Sequence, residues 1–501
     1  MKKIFTLLLV AMTAVVARAT DYIVPVTVVV NDVTSEQLGE FSIVENDGLY
    51  DVSLKNFILD SENGPMGVGN VELKGIQPYQ DGKATLFVTE KEVTITDGDD
   101  PNVVYWMAGM LPPVNVLLRG KIEDEHLYMN LYIDLMETMD QIIQVTVGEG
   151  YQMPNPGFEL WHPSDETHVE PDGWHSFETA TGALAAFGGH HLTKSKNAHS
   201  GEACARIYSS SILGIVANGT MTTGRLNADA MIATDPANNA YLDTSMPELD
   251  GAGKPFYIPL YSRPDSIAVW VRFRQGSVNP EHPYANISAV ITDGTYYQDP
   301  EDKEYTNVVA KAKNDKIATT DGEWVRVTAP FVYTENAVEP KAILVTISTN
   351  ADAGQGSDGD EVLVDDIELI YNAKVTGLKI KGQDVPGFSS DVMNYQMELD
   401  EEISEDDIEV TVEGKTAHVL KKVAIVNDYY VCSVVALSAD MSVMSQYVID
   451  VKSSSTAIRS IKTPAGQSAY YTLDGRQAKT LAPGRIYIRR QADGTVTKIL
   501  R

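Results

Sequence analysis

Cysteine is nearly absent: the 501-residue chain carries two, Cys204 and Cys432. They fall in segments assigned below to different domains, so no disulfide is expected, and both read as buried thiols acting as small apolar side chains. Basic charge is also scarce, with 39 Lys and Arg against 70 Asp and Glu and a formal net charge of -31. A surface of that sign repels phosphate backbones and anionic lipid, which argues against nucleic acid as a partner. Long amphipathic helical patterns are missing, and past the first residues no apolar run approaches the length of a membrane-spanning helix. Nor is there a Gly-x-Ser-x-Gly elbow, a phosphate loop, a His-Glu-x-x-His or a Cys-x-x-Cys. Lipase-like, nucleotide-driven, zincin and dithiol chemistries therefore lack support.

What is present begins with an address. Lys2 and Lys3 precede an apolar run from Ile4 to Val16, and Ala17-Arg18-Ala19 supplies the small residues a signal peptidase needs. Residues 1–19 are read as a secretory signal, with no cysteine placed to carry a lipid. A length of 501 residues with 43% hydrophobic residues can build several cores.

Strand signals then dominate. Leu127, Met129, Leu131, Ile133 and Leu135 alternate with Tyr128, Asn130, Tyr132 and Asp134, a period of two that predicts a strand with one buried face. Tyr50, Val52 and Leu54 alternate with Asp51, Ser53 and Lys55 in the same way, and a first all-β domain is predicted over 20–148. Its phrases Tyr50 to Phe57, Val68 to Leu73, Leu118 to Ile122 and the strand 127–135 resemble the calycin-like, or lipocalin-like, barrel of secreted Bacteroidetes proteins. The resemblance implies a closed barrel that holds a small apolar ligand or, alternatively, a side-chain-filled spacer.

Residues 151–372 open on Asn155-Pro156-Gly157-Phe158-Glu159-Leu160-Trp161 and close on Leu363-Val364-Asp365-Asp366-Ile367-Glu368-Leu369. Between them stand Trp174, His199-Ser200-Gly201, Thr222-Thr223-Gly224-Arg225, Trp270-Val271-Arg272-Phe273, Gly322-Glu323-Trp324 and Pro330-Phe331-Val332-Tyr333. The series resembles the carbohydrate metabolism domain family. That resemblance implies a jelly-roll sandwich similar to carbohydrate-binding modules, and with it a glycan partner.

Sugars present C–H faces that stack on aromatic rings and hydroxyls that need oriented polar partners. Trp270 and Arg272, two apart in a strand, share one face, while Val271 and Phe273 point into the core. Trp161, Trp174, Arg225, Trp270 and Arg272 are the expected carbohydrate contacts, and Trp324 is assigned to the core. Arg272 could equally pair with a carboxylate across the sheet. His175, His190, His191 and His199 lack zinc-ligand spacing and read as ordinary solvated side chains.

Glu159, Asp365 and Asp366 mark the seam between first and last strands and are the expected ligands of a structural calcium ion, with no other cofactor required. Strand alternation puts Asp365 and Asp366 on opposite faces, so one of them at most would bind directly. No catalytic pair can be chosen among 70 acidic residues, and Glu159 and Glu323 are the first candidates for a glycoside hydrolase or lyase. A non-catalytic glycan-binding protein is the preferred reading, with a hydrolase or a purely structural surface protein as alternatives.

A third β domain, 374–453, carries Leu378 to Gly382, Pro386-Gly387-Phe388, Asn394 to Leu399 and Tyr447 to Val451, and resembles a small Ig-like or cadherin-like sandwich. The tail 457–501 holds nine Lys or Arg against two Asp, a net of +7 that leaves -38 on the rest of the chain. Its Tyr470 to Arg476 and Ala482 to Ile488 resemble the sorting domain of the Bacteroidetes type IX route, which implies secretion machinery as a partner. The whole reads as an all-β, secreted or envelope protein.

Overall fold

The computed structural model describes residues 18–30, 33–59, 66–135, 141–212, 214–335, 338–426, 429–452, 469–471, 478, 486–490 and 496–500. Residues 1–17 of the expected leader and most of the tail lie outside these. Among the described residues the protein is all-β, its only helical turns being short 3-10 ones, and no helix is long and apolar enough to cross a membrane.

The N-terminal strands are β1 (Arg18–Val30), β2 (Val33–Asn46), β3 (Leu49–Leu59), β4 (Met66–Ile76), β5 (Pro78–Asp81), β6 (Ala84–Val93), β7 (Val114–Glu123), β8 (His126–Asp134) and β9 (Ile142–Val147). They form one sheet in the order β4-β3-β2-β1-β9-β8-β7-β6-β5. Period-two alternation builds its core: Val114, Val116 and Leu118 of β7 and Leu127, Met129 and Leu131 of β8 all turn inside the curled sheet, with Leu118 directly opposite Leu131. Edge strands β4 and β5 are not hydrogen-bonded to each other. A cavity of about 1140 Å³ opens inside, lined by Phe57, Val68, Val71, Ile95 and Leu111 and reaching Leu160 and Lys254 of the next domain. Such a space is at odds with a side-chain-filled spacer.

Alternation alone misjudged one residue here. Tyr128 belongs to the expected wet face of β8, yet it is 2% exposed, because Tyr151 packs on it with ring centroids 4.7 Å apart. Leu420, Leu437 and Met441 of the third domain close over the same spot, so three domains share one junction. Gly148 ends β9 at φ +85°, where a Cβ would come within 2.0 Å of Leu127 O, so only glycine lets the chain turn toward the next domain.

The central domain is a β-sandwich. One sheet orders the strands Leu192–Ser195, Cys204–Tyr208, Glu361–Ile370, Ser266–Arg274 and Val325–Pro330. The other orders Thr220–Thr222, Ala342–Ser348, Ala285–Thr292, Val308–Ile317 and Val332–Tyr333, with Ile258–Pro259 also paired to Ala342–Ser348. Ile267, Val269, Val271 and Phe273 of the first meet Ile287, Ala289, Ile291, Val345 and Ile347 of the second in a single core. The opening segment lies along the closing strand: Ile367 N donates to Pro156 O (2.9 Å), and Leu369 N donates to Gln152 Oε1 (2.9 Å).

The third domain stacks the three-stranded sheet of Val375–Ile380, Gln383–Asp384 and Ile408–Val412 on a four-stranded one. In the latter, Asn394–Glu398 runs parallel to Met444–Lys452. Ala469–Tyr471, Ile486–Arg490 and Val496–Leu500 of the tail form a small sheet packed on Val426, Val431 and Val448. Cys204 and Cys432 are free and buried, and burial pushes both thiols up to about 12.

Candidate functional site

The residues expected to contact sugar separate into three environments. Trp174 is 0% exposed and sits in the sandwich core against Phe158, with ring centroids 5.4 Å apart. It cannot present a ring to a ligand, and its assignment as a sugar contact is corrected. Its loop position misled, because the neighbouring His175 is fully buried as well, with Nε2 3.3 Å from Asp250 Oδ2. His191 is likewise buried, its Nδ1 2.7 Å from Tyr208 O, so neither histidine is a solvated side chain.

Trp161 is half-buried, its indole N–H donating to Phe158 O and Lys194 Nζ lying 5.7 Å from its ring centroid. Arg225 donates from Nε to Thr179 O (2.8 Å) and stacks over Phe256 at 4.6 Å. Its charge is thereby spent on holding the 3-10 turn Phe177–Thr179.

Trp270 and Arg272 do share the outer face of the first sheet, as alternation predicts, while Val271 and Phe273 are core. The cross-strand neighbour of Arg272 on the closing strand is Leu363, not a carboxylate, and its guanidinium lies over Trp324 at 5.9 Å. Trp324 is therefore only half-buried on this face rather than in the core. Trp270 pairs with Arg326, and continuing that register sets Arg272 opposite Trp324. His199 completes the patch, stacked on Trp270 at 3.9 Å and 16° and edge-on to Trp324.

That patch joins the seam. A register shift between Ala268 and Trp270 inserts a bulge in the closing strand, and Asp366 takes φ +44°. Alternation therefore fails locally, and Asp365 and Asp366 do not point to opposite faces. Both reach the 199–200 turn: Asp365 Oδ2 accepts from His199 N (2.7 Å) and Ser200 N (3.3 Å), while Asp366 accepts from His199 Nδ1 (2.6 Å) and Ser200 Oγ (2.7 Å). Glu159 Oε1 accepts from Glu202 N (2.8 Å) and Ala203 N (3.1 Å). A Cβ on Gly157 would meet Asp366 Oδ1, Asp365 Oδ1 and Glu159 Cγ at 3.6–3.9 Å, so the three carboxylates surround that glycine. Their chemistry suits a hard cation, but their oxygens face N–H and O–H donors. Among the described residues, this trio does not bring ligand atoms within 4.8 Å of one another.

Burial, and next the charge of Asp366, lift the Asp365 carboxyl to about 7. An unfolded aspartate titrates near ~3.9. Between those values the folded chain holds a proton that the unfolded chain has released, so this group's contribution to stability declines as pH rises through the window, by at most about 1.4 kcal/mol per unit. Asp366→Asn removes the neighbouring charge. Denaturant titrations at pH 5 and pH 8 should show the variant gaining stability relative to the native chain at the higher pH, and a pH-independent difference would contradict the pairing.

The second sheet carries a different feature on its outer face. Asn286 and Ser288 alternate with core Ile287 and Ala289, and Thr346 and Ser348 alternate with core Val345 and Ile347. Asn286 faces Ser348 and Ser288 faces Thr346 across the ladder, with Lys313 on the other side of Ser288. All but Lys313 are short polar side chains, so the floor they make is hollow. Phe177, Asn218, Met231, Asn238 and Asp299 build walls around it, giving a cleft of about 450 Å³. Ser288 Oγ donates to Asp299 Oδ2 (2.9 Å), and Asn238 Nδ2 donates to Ala230 O (2.9 Å). Two buried amide oxygens, Asn218 Oδ1 and Asn286 Oδ1, have no hydrogen-bond partner among the described residues. A buried acceptor without a partner costs about 1–3 kcal/mol.

None of the five expected sugar contacts lines this cleft. Its floor gives a weak signal in sequence, since alternating Ser, Thr and Asn read as any solvated strand face. The hollow appears only when four strands are laid side by side.

Fold and site define an all-β, multidomain protein whose central sandwich carries a polar cleft on one sheet and an aromatic patch on the other. No family profile matches the chain, and no curated protein matches it, so the calycin, cadherin and sorting-domain resemblances gain no support there. Among solved structures it is similar to one described as carbohydrate-binding modules from the β-sandwich superfamily, at 9% identity and TM-score 0.20, covering 66% of this chain and 97% of that one. It is also similar to the M60 catalytic domain with the CBM51-1 and CBM51-2 domains from Clostridium perfringens ZmpB, at 12% identity and TM-score 0.15, covering 94% of this chain and 44% of that one. Both likenesses are weak, and the functional reading rests on the site's own residues.

Proposed function

We propose that the chain is a carbohydrate-binding protein and that the saccharide lies in the cleft over Asn286, Ser288, Thr346 and Ser348. The observation that carries this reading is the hollow polar floor walled by Phe177, Asn218, Met231, Asn238 and Asp299. Sugar hydroxyls donate and accept at once, and the cleft offers the Ser288 and Thr346 hydroxyls and the Asp299 carboxylate as acceptors and the Lys313 ammonium as a donor. Phe177 and Met231 supply apolar surface for C–H faces.

Hydrolysis is the less supported use of the cleft. Glycosidases use a pair of carboxyl groups across the bond they break, and the cleft lining contains one acidic residue, Asp299. Glu159 is committed to two backbone N–H groups, and Glu323 is exposed on the turn before Val325–Pro330.

A second reading is favoured by the half-buried Trp324 with Arg272 above it: the aromatic patch contacts a glycan as well. His199 covers one face of Trp270, so a sugar there would lie along Trp324 or displace the imidazole. Calcium at Gly157 belongs with this patch, since capturing Asp366 would free His199. On the same reading the protein works outside the cytoplasm, delivered by its leader and addressed by its tail.

The test is a glycan-array screen of the full chain, followed by titration of each hit against Asn286→Ala. Loss of binding in a folded variant supports the cleft. A folded native chain that binds no glycan overturns the carbohydrate reading.

A further inference from the structure

Three loops bring side chains that the carbohydrate reading leaves unused to one edge of the central domain. His168 ends the turn of the hairpin formed by Trp161–Pro163 and Val169–Pro171. Glu178 lies in the 3-10 turn Phe177–Thr179, and His190 precedes the strand Leu192–Ser195. Ligand atoms of these three side chains all lie within 4.8 Å of one another, and they form the one such group of His, Cys, Asp or Glu found among the described residues.

The arrangement is more than proximity. The two imidazoles are stacked, centroids 3.3 Å apart and 19° between planes. Both present Nδ1 to the same carboxylate: His190 Nδ1 contacts Glu178 Oε1, and His168 Nδ1 lies 4.0 Å from Glu178 Oε2. Asp165 adds a fourth group, its Oδ2 2.7 Å from His168 Nδ1, and its Oδ1 is fixed by the N–H groups of Thr167 (2.6 Å) and His168 (2.8 Å). An imidazole nitrogen binds metals through its lone pair, and the two rings bring one such nitrogen each to the same carboxylate. The carboxylates of Asp165 and Glu178 would then balance a divalent charge. The Glu178 side chain is 9% exposed while His190 is 49% exposed, so the anchor is held from below and the site is open to an ion from solvent.

We propose that His168, Glu178 and His190, with Asp165, form a transition-metal site that takes zinc. Two imidazole nitrogens with carboxylate oxygens select zinc and its neighbours in the first transition row over calcium or magnesium, which prefer oxygen alone. The ion would tie three loops together, among them the turn that carries Phe177 into the cleft. Sequence reading misses the site because its ligands are 10 and 12 residues apart on separate loops, unlike the short spacings of zinc motifs.

The test uses the full chain, stripped with chelator, loaded with zinc sulfate and desalted. Metal analysis should find a single retained zinc per chain, calcium in excess should not displace it, and X-ray absorption should show imidazole scattering. His168→Ala and His190→Ala should each weaken zinc binding by roughly 100-fold or more, while His282→Ala, whose imidazole pairs with Asp352 elsewhere, should not. Glu178→Gln keeps the turn's shape and should also weaken binding, which covers the case of an alanine variant that fails to fold. No zinc above the chelated blank, or equal retention by a folded His168→Ala, His190→Ala double variant, overturns the proposal. Neither outcome depends on glycan binding.

Discussion

Replacing Trp174 with alanine should destabilise the central sandwich by about 3–5 kcal/mol, the usual cost of emptying a large buried aromatic site. The side chain is fully buried, tilted against Phe158, and shares its core with Leu192, Ile258 and Leu260. For a domain of this size that loss corresponds to a melting temperature lower by roughly 6–20 °C. Trp174→Phe should cost much less, because it keeps most of the packing and removes an indole N–H that has no acceptor among the described residues. Differential scanning calorimetry of the three chains checks both points. Below their melting transitions all three should bind glycan alike, since no atom of Trp174 reaches solvent.

Blocking the cleft should do the opposite. Ser288→Trp places an indole on the cleft floor between Thr346 and Lys313 and should reduce glycan affinity by about 100-fold or more, while the inward neighbours Ile287 and Ala289 stay in place. Asn286→Ala shortens a side chain of the cleft floor without filling the space. One lost hydrogen bond to a ligand is worth about 1–3 kcal/mol, or roughly 5- to 100-fold in affinity. Its folded state should be no less stable than the native one, because the amide oxygen it removes is unsatisfied when no ligand is bound. Titration calorimetry and thermal melts on the same samples separate the two effects.

Strand placement was legible from the sequence wherever alternation was strict. The run Ser266–Arg274 puts Val271 and Phe273 inside and Trp270 and Arg272 outside, as a period of two requires. It failed where something other than a strand face decided burial. Tyr128 is covered by another domain, Trp174 and His175 by the sandwich's own loops, and Asp366 is turned by a bulge that sequence does not announce. Trp324 was misjudged because its neighbours depend on which strand pairs with Ser266–Arg274, a long-range fact.

The cleft and the histidine pair share that long-range character. Asn286 and Ser348 are far apart in the chain and meet only through the ladder, and His168 meets His190 through loop packing. Residue type gave no help either, since aromatic residues drew attention to the first sheet while the hollow lies on the second. Small side chains make a cavity by what they leave unfilled.

The most direct measurement is calorimetric titration of the full chain with its best array glycan, run in parallel with Ser288→Trp and Trp270→Ala. The cleft account predicts that binding is lost in Ser288→Trp and kept within a few-fold in Trp270→Ala. Undiminished binding by a folded Ser288→Trp chain would contradict it, most sharply if Trp270→Ala abolished binding instead.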